Sequence, residues 1–160
     1  MTMQYDVLSK FVTAFGAVTD TRSRLKGLWV ASTVATNPNP VFVDTDTSLT
    51  GTYSQTTTTI TVTSANHGLV VGQRVALAFT SGSGASGGFA VATTPDANTF
   101  TVTTPLTGTN SGNVTVYTKI TVELGIAALT QGMLLVPGEG VLCPNGIYYV
   151  GISELTVFYG

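Results

Sequence analysis

Charge is what this sequence has least of. Asp, Glu, Lys and Arg together make up only 9% of its 160 residues, against roughly 25% in an ordinary globular domain. Residues 57–117 hold one Arg (Arg74), one Asp (Asp96) and one His (His67). Catalysis usually needs paired titratable groups whose surroundings push their pKa values apart, and this stretch cannot supply such a pair from within itself. The single cysteine, Cys143, excludes an intrachain disulfide and a Cys-based metal site. Its VLCPNG setting predicts a small buried filler. The apolar runs stop at four or five residues, too short for a membrane span. The start, MTMQYDVLSK, lacks the apolar stretch of a signal peptide, so a product made in a reducing cytoplasm is expected. Net charge is −2 with no broad basic stripe, so no nucleic-acid partner is expected.

What is present is threonine, glycine and a normal apolar share of 43%, which favours strands and tight turns over helices. So little charge protects poorly against association, and much of the surface is expected to be covered by a partner or by copies of the chain. The segment 25–33, LKGLWVAST, predicts a strand with Leu28 and Val30 on one face and Trp29 on the other. NPNP at 37–40 predicts a turn, VFVDTD at 41–46 a strand, and the Thr/Ser/Gly-rich stretch 47–59 a connector. Five short strands follow at 60–64, 74–79, 88–93, 99–104 and 113–118, divided by NHG, SGSGASGG, PDAN and TGTNSGN. That spacing is the signature of a small barrel or sandwich. Later strands are expected in 120–127, 132–143, 146–151 and 154–160. Residues 1–20 read equally as a short amphipathic helix, as strand, or as an arm crossing to a neighbour. The expected fold is all-β: a jelly-roll-like β-sandwich from 21–50 plus 118–160, an N-terminal arm over 1–20, and an inserted small β-barrel or sandwich module over 51–117.

Each chemistry-bearing residue has a plain structural explanation. His67, the only histidine, has no Asp, Glu or Cys near it in sequence and is expected to bond backbone groups across its turn. Asn66 or Gly68 there suits the left-handed conformation. Asp96 is expected to cap backbone N–H groups of the DAN turn. SGSGASGG reads as a hairpin tip, since it lacks the Lys-Ser/Thr ending of a phosphate loop. Phe79, Phe89, Phe100 and Tyr117 fit a module core better than a sugar site. Asp44 and Asp46 share a strand face, the arrangement of a carboxylate pair, or of a weak Ca²⁺ site with Thr47 and Ser48. Strand-end solvation explains them more simply. Glu139 of the PGEG turn points to solvent or to a base of a neighbouring subunit, Arg22 or Arg24.

Two sets of motifs carry a resemblance. Arg24-Leu25-Lys26-Gly27, Pro137-Gly138-Glu139-Gly140, Gly146-Ile147-Tyr148 and Val157-Phe158-Tyr159-Gly160 resemble a small structural protein of tailed bacteriophages. His67-Gly68-Leu69, Val71-Gly72-Gln73-Arg74-Val75 and Asp96-Ala97-Asn98-Thr99-Phe100 resemble a β module repeated in phage tail and fibre proteins. The resemblance implies a non-enzymatic virion component with no catalytic residues, cofactor or metal. A capsid decoration (cement) protein is expected first, a tail or fibre component second. It would be made in the bacterial host and carried on the virion. Its partners would be the major capsid protein or other virion proteins, and it would form a homo-oligomer or symmetric array. Lys10, Phe11, Phe15, Arg22, Arg24 and Lys26 are the expected contact residues, because four of the six bases fall in the first 26 positions.

Overall fold

The computed structural model describes residues 7–32, 39–44, 48–124 and 132–160. Every regular element among them is a strand, and every strand pair is antiparallel. The first sheet runs β1 (Leu8–Val12), β13 (Glu154–Tyr159), β3 (Ser23–Ser32) and β10 (Gly132–Leu135), with β11 (Val141–Cys143) pairing farther along β3. The second runs β2 (Gly16–Thr19), β12 (Ile147–Val150), β4 (Val41–Val43) and β9 (Ile120–Glu123). The third contains β5 (Ser48–Thr63), β8 (Thr99–Tyr117), β6 (Arg74–Phe79) and β7 (Gly87–Asp96).

The first two sheets form a β-sandwich. Alternation along β3 and β13 sends Leu25, Leu28, Val30, Leu155 and Val157 inward, where they meet Val18, Phe42, Ile147 and Tyr149 of the second sheet. Of the readings open for the N-terminal residues, the extended one holds over 8–19: β1 pairs with β13 and β2 with β12, so this segment contributes one strand to each sheet. β13 lies between β1 and β3 and is tied in on both sides.

The second sheet is buried on both faces. VFV and IYYV are short continuous apolar runs, as a doubly covered strand requires. Phe42 and Tyr149 face the sandwich core, while Val41, Val43 and Val150 turn outward onto the third sheet. The third sheet answers with Ala76 and Ala78 of β6 and with Tyr117. Alanine there lets the backbones approach, and the alternate residues Val75, Leu77 and Phe79 fill the module's own core.

Two boundaries differ from expectation. The stretch expected as a connector up to Thr59 is, from Ser48, part of a 16-residue strand. TGTNSGN is not a turn but the middle of the 19-residue β8, so two expected strands are one. The glycines mark close approach and not chain reversal. A Cβ on Gly112 would collide with the Ser81 backbone, and one on Gly108 would lie 3.2 Å from the Asn110 amide. β8 pairs with β5 over 99–103 and 108–117, with residues 104–107 left out of the register opposite Thr58, and it pairs with β6 and β7 over different halves. The β5–β8 ladder is interrupted by a bulge beside Thr57, whose φ is 54°. The module is thus a four-stranded antiparallel sheet; the closed barrel, one of the two forms expected, is not formed.

Candidate functional site

The residues with chemical potential are mostly absorbed by the fold. His67 is buried; its Nε2 lies 3.1 Å from the Asp96 carbonyl and 3.3 Å from that of Thr99, while Nδ1 accepts from the Leu69 N–H at 3.0 Å. It staples its turn as the sequence suggests, with Asn66 and Gly68 both at positive φ. Asp96 accepts from the Asn98 N–H at 2.7 Å, the expected cap. All four aromatics are buried: Phe79, Phe89 and Phe100 fill the module core as expected, while Tyr117 packs in the seam between module and sandwich, so none is free for a sugar. Asp44 is buried, and its Oδ1 has no hydrogen-bond partner among the described residues. Strand-end solvation therefore fails for Asp44; Asp46 and Thr47 lie outside the described residues, and Ser48 is exposed at the start of β5. No group of three or more His, Cys, Asp or Glu close enough to hold a metal occurs among the described residues.

Cys143 is fully buried and unpaired. Burial pushes its thiol up to about 11, and the nearby Asp44 carboxylate adds to the shift. Such a thiol is a poor nucleophile at neutral pH. Tyr117 and Tyr149 are raised well above the ordinary tyrosine range, each chiefly by burial. Tyr149 donates to the Ser153 carbonyl at 2.9 Å and accepts from its N–H at 3.1 Å, which satisfies a buried hydroxyl.

A cleft of about 320 Å³ opens where module and sandwich meet, lined by Asn39, Arg74, Phe89, Val91, Thr103 and Pro105. Its arginine and asparagine side chains are already committed. Arg74 forms an ion pair with Glu123, which also accepts from Asn39 Nδ2 at 2.9 Å. Asn39 in turn accepts the Gly88 N–H at 2.8 Å, and a Cβ at Gly88 would stand 2.8 Å from Val41 Cγ1. These contacts fasten the module to the sandwich and occupy the cleft's arginine and asparagine side chains.

The outstanding surface is the outer face of the first sheet. Registers align Phe11, Thr156, Trp29 and Met133 in one row across four strands, and Ser9, Phe158, Gly27 and Leu135 in the next. Val12, Leu28, Val30, Leu155 and Val157, which alternate with them, fill the core, so these side chains point out. Phe11 is 55% exposed, Trp29 43%, Met133 56% and Leu135 65%. Isolated exposed apolar residues are normal, but a contiguous patch on a sheet marks an interaction surface. The face is dipolar. At one end Arg24, opposite Leu142, shares its outward side, with Lys26 at the adjacent bulge. At the other end stands the exposed Glu154, paired in register with Ser32.

The six expected contact residues divide between surfaces. Phe11 and Arg24 lie on this face, and Arg24 Nη1 also donates to the Gly140 carbonyl at 3.3 Å. Lys26 sits at its rim, and Arg22 is exposed in the turn before β3. Lys10 folds back to donate to the Ala17 carbonyl at 2.7 Å. Phe15 packs against the cluster between the second sheet and the module, because the turn between β1 and β2 carries it there. The sequence pattern missed Met133, Leu135 and Phe158. Trp29 was placed opposite the core, but nothing in the sequence showed which strands flank it. Comparison with known protein families, curated proteins and solved structures gives no match.

Proposed function

We propose that this chain is a non-enzymatic structural component of a virion, foremost a capsid decoration (cement) protein that binds and stabilises the assembled shell. The observation that carries the assembly part of the reading is the outward sheet face of Phe11, Trp29, Met133 and Leu135, apolar at its centre and charged only at its ends. The virion part rests on the resemblance of the strand and turn motifs. A protein that binds the assembled shell and not its separated subunits stabilises the shell by mass action. The partners in this reading are the major capsid protein, other virion proteins and further copies of the chain, and the location is the virion.

The second reading, a tail or fibre component, draws support from the module, whose outward positions on β5 and β8 are hydroxyl-bearing and carry no patch comparable to that of the first sheet. A cryo-electron microscopy map of the purified particle tests both. The decoration reading expects this chain at icosahedrally repeated positions on the shell. Density confined to the tail or a vertex would replace it with the second reading, and absence from the particle would remove both.

A further inference from the structure

We propose that the outer face of the first sheet pairs two copies of this chain about a two-fold axis that lies between the facing sheets and runs across the strands. The pairing deepens the assembly reading above and rests on it only in taking this face to be covered.

The self-complementarity is in the register. Along β13 the outward positions run Glu154, Thr156, Phe158 and then Gly160, which exchanges backbone hydrogen bonds with Arg24 at 2.7 and 3.1 Å. Acid and base therefore stand at opposite ends of one face, about 20 Å apart at the usual strand rise. A two-fold axis across the strands between the Thr156 and Phe158 rows exchanges those ends. Arg24 of one copy then comes over the Ser32 position of the other, one strand spacing of about 4.8 Å from Glu154 and within reach of its carboxylate, twice in each dimer, as an isologous contact requires. The same operation lays each row on the other. Trp29 comes over Gly27, which carries no side chain, and over the Leu135 side chain leaning across it, whose Cδ2 is 3.4 Å from where a Gly27 Cβ would stand. Phe11 comes over Ser9, and Met133 over Leu135. Larger residues meet smaller ones in the β1, β13 and β3 columns, and apolar meets apolar in the β10 column.

Charge favours a second copy over an unrelated partner, and area sets the strength of the pairing. Arg24 and Glu154 form no ion pair with any described residue of their own chain, so the copy supplies opposite charge at both ends. Strands about 4.8 Å apart, with rows about 6.7 Å apart, give a footprint on the order of 400 Å² in projection. The accessible area is larger because the side chains stand off the sheet. That reaches the lower size class of specific interfaces, below about 1,200 Å² in total, so the dimer should dissociate on dilution. Face-to-face sheets with strands nearly aligned are a common packing.

Sedimentation of the full chain across a concentration series tests the proposal, with the emission of Trp29, the single tryptophan, as a second readout. A monomer–dimer equilibrium is expected, with emission shifting to the red as dilution uncovers the indole. Trp29→Glu should leave a monomer with the melting temperature of the dilute, monomeric wild-type chain. Arg24→Glu and Glu154→Arg should each weaken the dimer about tenfold, and the double charge swap should recover most of that loss. A monomer at every concentration would overturn the proposal, as would a dimer indifferent to Trp29→Glu. A double swap no better than either single change would overturn the two-fold arrangement. A dimer formed by a chain absent from any particle would remove the virion reading and leave this pairing intact.

Discussion

The sandwich and the module solve the same problem, a sheet face turned to water in a chain with few charges, in opposite ways. On the module the outward positions of β5 and β8 are hydroxyls and amides paired across the ladder: Thr50 with Thr115, Thr52 with Asn113, Ser54 with Ser111, Thr56 with Thr109. Beyond the bulge the pairs are Thr59 with Thr103, Thr61 with Thr101 and Thr63 with Thr99. Threonine keeps the β-branched preference for strands and presents a hydroxyl to solvent, so this surface stays wet with almost no charge. On the first sheet of the sandwich the equivalent positions are Phe11, Trp29, Met133, Phe158 and Leu135. Low charge alone therefore does not mark a covered surface. The identity of the outward residue does, and only the sandwich face has the character of an interface.

The largest way to probe that division is through the cores. Phe100→Ala in the module should cost about 3–5 kcal/mol, the range for truncating a fully buried aromatic. Sandwich and module share a buried seam of Val41, Val43, Val150, Ala76, Ala78 and Tyr117. Urea unfolding followed by circular dichroism and by Trp29 emission should therefore remain one coincident transition at a lower midpoint. Separate transitions would show that the seam does not couple the two regions.

A smaller effect sits in the module's turn. His67→Ala removes the acceptor of the Leu69 N–H and the ring contacts to two carbonyls, and should cost about 1–3 kcal/mol. Hydrogen exchange should quicken at Leu69 and the neighbouring turn while the sandwich strands stay protected. Protection lost equally in both regions would contradict a local staple.

Alkali probes the sandwich side. The Cys143 thiol is raised from 9.0 to about 11 in the folded chain, so the native state holds its proton more tightly than the unfolded state does. Its contribution to stability is fully present below about 9 and lost as pH rises through about 11. Melting temperature should fall over that interval, and Cys143→Ala should reduce the slope. An unchanged slope would assign the fall to other groups, the buried tyrosines first.

The smallest expected effect is on the hydroxyl ladder. Thr61→Val should change stability by no more than about 0.5 kcal/mol and leave association unchanged by sedimentation. A gain in self-association would show that the ladder also guards the module against pairing.

Much of this was legible in the sequence because alternation is local. Leu28 and Val30 against Trp29, the strand at 74–79, the His67 turn and the Asp96 cap all follow from residue type and neighbours. The errors come from long-range geometry. Glycines 108 and 112 read as turn signals because close approach by the Gln55 side chain and the Ser81 loop cannot be seen in one dimension. The N-terminal residues were ambiguous between helix and strand because the pairing of β1 with β13 spans nearly the whole chain. The candidate face needed cross-strand register: Met133 sits beside Trp29 only because β10 joins the edge of β3.

Hydroxyl-radical footprinting of the chain, dilute against concentrated or particle-bound, tests most directly whether the sandwich face is the covered one. Phe11, Trp29 and Met133 should lose reactivity on assembly, while Val70 and Val71, which are more exposed still on a module loop, keep theirs. Unchanged labelling at Trp29 and Met133 in the assembled state would contradict it.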